Sequence, residues 1–215
     1  CHIISQNDLS PNLEFFYQKW VTTNLKKSNR VLKGIYKNIS PLTLTNTLYC
    51  FYSYEKNVEN LLLAYLQRGF KVGHSCNHDM GFDAGLKVNQ LAKKVSFEVH
   101  RMMGFIRLKE IKTNLFYAAF ENNHDILGFL VSHFKKRFAS QDWILHDVKR
   151  KKAAFFIKQH LSFLVLEKIN TTFQDPFEDL WKQYTQDIAI KEKTNLKLQK
   201  QFMPARYWKY LTEKQ

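Results

Sequence analysis

The first half of the chain repeats apolar residues at helical spacing behind clear start signals. Ser10-Pro11 sets an N-cap before a proline at the first helical position, and Leu13, Phe16 and Trp20 follow on one face. Ser40-Pro41 repeats the signal ahead of Leu44, Leu48 and Phe51. Val58, Leu61, Leu62 and Tyr65 predict a third helix, with Gly69 as its C-cap. Residues 72–85 hold Gly73, Gly81 and Gly85 and read as the loosest connection. From Leu86 a long helix carries Val88, Leu91, Ala92, Val95, Val99 and Met102 on its core side.

At Gly104 the period changes from 3.6 to two. Phe105–Glu110 and Leu115–Phe120 predict two strands joined by Lys112-Thr113-Asn114. A helix from His124 follows, with Leu127, Leu130, Phe134 and Phe138 in line, and then strands over Trp143–Val148, Ala153–Ile157 and Leu161–Leu166. Short links between strands imply antiparallel pairing. Asp175-Pro176 starts a helix with Leu180, Trp181, Tyr184 and Ile188, and further helices are expected over Asn195–Phe202 and from Pro204. The expected class is α+β: a helical N-terminal segment over residues 1–85, then residues 86–215 with a small antiparallel sheet of about five strands and closing C-terminal helices, the two segments expected to form one compact unit.

Composition narrows the partners. In 215 residues, 33 Lys and Arg face 19 Asp and Glu, a formal net charge of +14. The apolar fraction of 45% is that of a folded chain, so the charge belongs to a surface and not to a disordered tail. Basic and acidic residues nearly balance only over residues 51–100, at 6 against 5. Cationic surfaces attract polyanions because their contacts release ions condensed on phosphates. High pI also aids solubility, and charge alone does not separate the two readings.

No apolar run reaches the roughly 18 residues of a membrane span. No basic stretch followed by an apolar one opens the chain, and three cysteines are too few for a disulfide framework, so a cytoplasmic location is expected. Residue 1 is Cys, as expected of a processed or trimmed product.

Several clusters are candidates for chemistry. Lys87, Lys94 and Arg101 fall seven apart and align on the long helix. His100, Arg101 and Arg107 flank Gly104, where two guanidinium forks are able to grip phosphates and an imidazole is able to act near neutral pH. The competing reading pairs the two arginines with Glu98 and Glu110. Lys135-Lys136-Arg137 closes a helix, a position its dipole favours. Lys149-Arg150-Lys151-Lys152 is the densest basic run, and in a strand connection it points to an anion. His74, Cys76, His78 and Asp79 are of zinc-ligand type, but no recurring ligand spacing supports them, and neither a metal nor another cofactor is expected. Met203–Leu211 interleaves Arg206 and Lys209 with rings; Tyr207, Trp208 and Leu211 are expected in the core, and the pattern leaves open whether the cations face water or a nucleic acid.

His-Arg-Met-x-Gly-Phe-x-Arg at 100–107, the helix from His124 to Phe138, Trp143–Arg150, Leu180-Trp181-x-x-Tyr184, Asn195-x-x-Leu198-Gln199 and Met-Pro-x-Arg-Tyr-Trp-Lys-Tyr-Leu at 203–211 together resemble an uncharacterised bacterial family labelled as DNA metabolism or DNA repair proteins. The resemblance runs from about residue 15 to the end. It implies an α+β domain, fused in some relatives to a uracil-DNA glycosylase-like domain and encoded in others beside a radical S-adenosylmethionine DNA repair protein. The family's N-terminal aromatic-Asp-Gly motif is not found here.

Three functions follow as expectations. The first is a DNA-binding accessory protein of repair or modification that works with a catalytic partner. It would use Lys94, His100, Arg101, Arg107, His124, Arg137, Lys149, Arg150, Lys151, Lys152 and Arg206 toward the phosphate backbone. The second is a nuclease or base-processing hydrolase, which requires His100, His124 and Arg107 to converge. The third is a protein-interaction subunit without nucleic-acid contact. The sequence leaves open whether the chain is itself an enzyme.

Overall fold

The computed structural model of the chain describes residues 24–79, 81–167, 177–190, 193 and 195–214. Contacts divide the chain into two compact units, with the division between Phe97 and Glu98 inside one helix. Among the described residues, no helix is long and apolar enough to cross a membrane. The helix expected after Ser10-Pro11 and the Asp175-Pro176 cap lie outside the described residues.

The first unit is helical. Asn24 caps α1 (Leu25–Asn38) by accepting the Lys27 N–H at 3.0 Å. The apolar pattern does not announce this helix, because Ile35 is the residue it buries and Lys26, Lys27, Arg30, Lys33 and Lys37 interrupt the apolar positions. Ser40 caps α2 (Pro41–Phe51) by accepting the Thr43 N–H at 3.0 Å, as the Ser-Pro signal implies. The buried face of α2 is Thr43, Asn46, Thr47 and Cys50, more polar than an ordinary core face. α3 (Val58–Val72) buries Val58, Leu62, Tyr65 and Gly69, and α4 (Asp83–Phe105) adds Val88, Leu91, Ala92 and Val95 to this core.

Residues 72–85 are not a loose connection. A 3-10 turn over Gly73–Asn77 buries Cys76 and Asn77. The Asn77 Nδ2 donates to Thr43 Oγ1 at 3.0 Å and to Ser40 Oγ at 3.2 Å, and its Oδ1 accepts from Tyr65. Asn89 donates to the Asn77 carbonyl at 2.9 Å and accepts from Asn46 at 2.8 Å. A buried polar network satisfied on so many sides fixes a unique packing.

The second unit is α+β. β1 (Lys109–Lys112), β2 (Leu115–Phe120), β3 (Asp142–Asp147), β4 (Lys152–Ile157) and β5 (His160–Val165) form one sheet in chain order. β1 starts later than the pattern suggests because α4 runs one residue past Gly104. Three pairings are antiparallel hairpins, as expected, but β2 and β3 are parallel, with Leu115 beside Asp142 and Phe120 beside Asp147. The reason is α5 (Leu127–Arg137), which carries the chain from the end of β2 back to the start of β3. The sheet is therefore mixed.

α5 packs its Phe134 edge-on to Trp143 at 6.2 Å, and Trp143 stacks on Phe156 at 5.1 Å. α6 (Phe177–Asp187), α7 (Leu196–Phe202) and 3-10 turns over Ala205–Tyr210 and Thr212–Lys214 close the unit. Tyr207 and Leu211 enter the core, as the pattern predicts, whereas Trp208 is only half-buried, its indole N–H donating to the Met203 carbonyl at 2.8 Å; Arg206 and Lys209 stay half in water.

Candidate functional site

Parallel neighbours with a helical crossover gather loops at their carboxyl ends, where open α/β sheets bind ligands. Here that position holds residues 121–126, after β2, and 148–151, after β3. The first loop is held from several sides. Glu98, on the last turns of α4, is 5% exposed and accepts the N–H of Asn123 at 3.1 Å and of His124 at 2.9 Å. The same carboxylate accepts from Arg206 at 3.1 Å and from the Tyr207 hydroxyl at 3.0 Å. Burial first, and then the Glu98 charge, push the Tyr207 hydroxyl up to about 12.

From the other side, Arg150 donates to the Asn123 carbonyl and, at 2.9 Å, to Asp147. Asp147 is completely buried at the end of β3. Its burial raises the carboxyl above the ordinary range, and the Arg150 charge and hydrogen bonds oppose that rise without cancelling it. Lys152 pairs with Asp125 at 2.6 Å, and Lys209 with Glu121 at 2.8 Å. The Tyr210 hydroxyl also donates to Glu121, at 2.8 Å.

On the opposite face of the sheet, His146 lies between Tyr117 and the Leu166 carbonyl. Its Nε2 is 2.9 Å from that carbonyl and so carries the proton. Its Nδ1 therefore accepts from the Tyr117 hydroxyl, at 2.8 Å, which defines the neutral imidazole. Burial lowers the affinity of the ring for a second proton, and the pull of the Leu166 carbonyl and Asp147 does not restore it.

The residues singled out from the sequence separate into two sets. Arg150, Lys152, Arg206 and the His124 main chain meet around the loop after β2, each on a carboxylate. Lys151 pairs with Glu167 at 3.1 Å, and Lys149 is exposed in the same β3–β4 turn. Arg107 donates to the Gly104 carbonyl at 2.6 Å and to Glu213 at 2.7 Å, and not to Glu110. Lys94 and His100 are exposed on α4, and Arg101 is half-buried without an ion pair among the described residues. Arg137 is exposed at the end of α5.

His124 sits on Glu98, Arg107 on Glu213, and His100 is two residues beyond Glu98, about 200° round the helix. Among the described residues, no three His, Cys, Asp or Glu side chains gather in a way that holds a metal, and Asp79 is bound instead to Arg68 at 3.1 Å.

The acids are what residue patterns alone do not find. Asp147 stands three before Arg150, a spacing common by chance, whereas the contacts of Glu98 with Arg206 and of Arg107 with Glu213 span 108 and 106 residues. A buried tyrosine and histidine pair, Tyr117 and His146, is signalled by sequence only as alternation within two strands.

The model of a family described as a domain of unknown function, DUF4130, matches residues 56–213. No curated protein and no solved structure matches the chain.

Proposed function

The chain belongs to the DUF4130 family, and from that premise we propose a cytoplasmic accessory protein of DNA repair or modification that holds the phosphate backbone of DNA through its sheet unit. The observation that carries this reading is a division of the cations between the two ends of the sheet. At the carboxyl ends of β2 and β3 the cations named above rest on acids.

At the other end the balance is different. Lys112 closes β1, Lys135, Lys136 and Arg137 close α5, and Lys158 occupies the β4–β5 turn. The register brings these pieces to one edge: Lys112 pairs with Leu115, Leu115 lies beside Asp142, and Asp142 accepts the Lys158 N–H at 2.8 Å. All five cations are exposed, and none forms an ion pair among the described residues. The two acids beside them, Asp142 and Glu110, are turned onto main-chain N–H groups. Unpaired cations along one edge attract a polyanion, and they read charge and not sequence.

The catalytic step in this reading belongs to a partner of the kind that the family resemblance implies, a radical S-adenosylmethionine protein or a uracil-DNA glycosylase-like protein. Titration of labelled DNA across a salt series tests the binding. Five contacts give a slope of log affinity on log salt of about −4.5 on duplex. Lys135→Glu with Lys136→Glu makes the slope shallower, whereas Lys151→Glu leaves it nearly unchanged. Salt-independent affinity, or no binding at low salt, removes the proposal.

A further inference from the structure

The second unit contains a cavity of about 650 Å³ beside the edge strand β1, lined by Arg107, Leu108 and Lys109 on one side, Thr212 at its end, and α6 on the other. That volume lies in the range of small-molecule sites. α6 contributes Trp181 and Tyr184, whose rings stand 5.7 Å apart at 32°, together with Leu180 and Glu178. These apolar side chains remain largely open to solvent: Trp181 is 41% exposed and Tyr184 54%. The site position is not the loop cluster described above, and no side chain of the cationic edge lines it.

Its walls are fixed in advance. Glu213 accepts from Arg107 at 2.7 Å and from the Trp181 indole N–H at 3.2 Å, so one carboxylate sets both the guanidinium and the ring. The guanidinium carbon is 6.0 Å from the Trp181 ring centroid. Lys109 and Glu178 form an ion pair across the opening. A ligand that enters pays little to order these groups, because they are already ordered.

The chemistry of the lining selects the occupant. Flat rings offer stacking faces, and Thr212, Lys109 and Glu178 offer donors and an acceptor around them. A wholly apolar segment would strip water from the Lys109–Glu178 pair and return no hydrogen bond. A flat heterocycle with a polar rim stacks on the rings and keeps its edge on those groups. Lys112, the first cation of the proposed phosphate edge, is three residues along β1, about 10 Å away.

We infer that this cavity takes an unpaired nucleobase of single-stranded DNA, stacked on Trp181 and Tyr184, with its backbone running toward Lys112. The inference rests on the DNA reading above for its source of bases. It adds a preference for single strands, since a base within a duplex keeps its faces on its neighbours. Rings of this type are worth about 1–3 kcal/mol per stacked base when truncated, or roughly fivefold to more than a hundredfold in affinity.

The full chain is titrated with a labelled single-stranded oligonucleotide and with the duplex of the same sequence. Trp181→Ala and Tyr184→Ala are expected to weaken single-strand binding about tenfold each and to leave the salt slope and duplex affinity unchanged. Trp181→Phe restores most of the loss. Lys135→Glu with Lys136→Glu weakens both DNA forms. If both ring variants bind the single strand like the parent while the charge variant does not, the cavity inference is overturned and the DNA reading stands.

A second arm uses deoxyadenosine monophosphate and the indole emission that Trp181→Ala removes. Quenching of that component supports the cavity site even if no DNA is bound at low salt, the result that removes the DNA reading. Its absence together with failure of DNA binding overturns both.

Discussion

Arg150 places its Nη1 2.9 Å from the Oδ2 of Asp147, a carboxylate with no exposed surface at the carboxyl end of the central strand. The same guanidinium reaches the Asn123 carbonyl, so one side chain ties β3 to the loop after β2. Arg150→Ala leaves a charge buried without its partner, and the expected loss is about 3–5 kcal/mol of stability in chemical denaturation near neutral pH. Asp147→Asn, which keeps the shape and removes the charge, costs less. Because the Asp147 carboxyl is already raised by burial, a proton is its alternative partner. The deficit of Arg150→Ala therefore narrows as pH falls toward the carboxyl range, and a deficit that is constant with pH contradicts the pairing.

His146 supplies an acid-side sensitivity of its own. Burial keeps its folded pKa below that of the unfolded chain, so the unfolded state binds the extra proton first. Its contribution to stability is whole above the unfolded imidazole value of about 6.5 and is lost as pH falls from there through the folded value. Denaturation midpoints measured from about pH 7.5 to pH 5 fall in the parent and fall less steeply in His146→Gln. Tyr117→Phe removes the donor to Nδ1 and costs about 1–3 kcal/mol, the range for a buried acceptor left unpaired.

Much of this architecture is legible in the residue pattern. The Ser40-Pro41 cap, the long α4 stripe, the five strands and the buried Tyr207 and Leu211 all follow from period and capping, which are local properties. The parallel pairing is not local, because it depends on where α5 returns the chain. The partners of the basic run at 149–152 are in part non-local for the same reason. Arg150 meets the local Asp147, but the carboxylates on Lys151 and Lys152 are Glu167 and Asp125, 16 and 27 residues away. The stretch around Asn77 reads as loose because its residues are short and polar, yet each of those properties lets it fill a hydrogen-bonded core.

Two thiols of the first unit, Cys50 and Cys76, are expected to be inert in the folded chain. Cys50 is fully buried and donates to the Val88 carbonyl at 3.3 Å, and burial pushes its thiol up to about 12. Cys76 is also fully buried, and burial raises it as well. Since the thiolate is the reactive form, alkylation followed by peptide mass mapping should leave both unmodified until denaturant unfolds the unit. Modification of either at a rate equal to that of the unfolded chain would show that this core opens freely.

Two glycines of α4 make opposite predictions from one substitution. A Cβ on Gly85 would stand 2.9 Å from the Phe82 ring and 3.1 Å from the main-chain oxygen of Cys76. That carbonyl belongs to a backbone tied down by the Asn77 network and has little room to yield, so Gly85→Ala is destabilising by about 1–3 kcal/mol. At Gly104 an added Cβ meets nothing within 4 Å, and the residue is exposed near the end of the helix. There the alanine restricts the unfolded chain and favours the helix, for a gain of up to about 1 kcal/mol. Both variants are compared with the parent by urea denaturation. A gain at Gly85 would mean that local crowding does not govern α4, because intrinsic propensity alone predicts a gain at both positions, and a loss at Gly104 would contradict propensity and open space together.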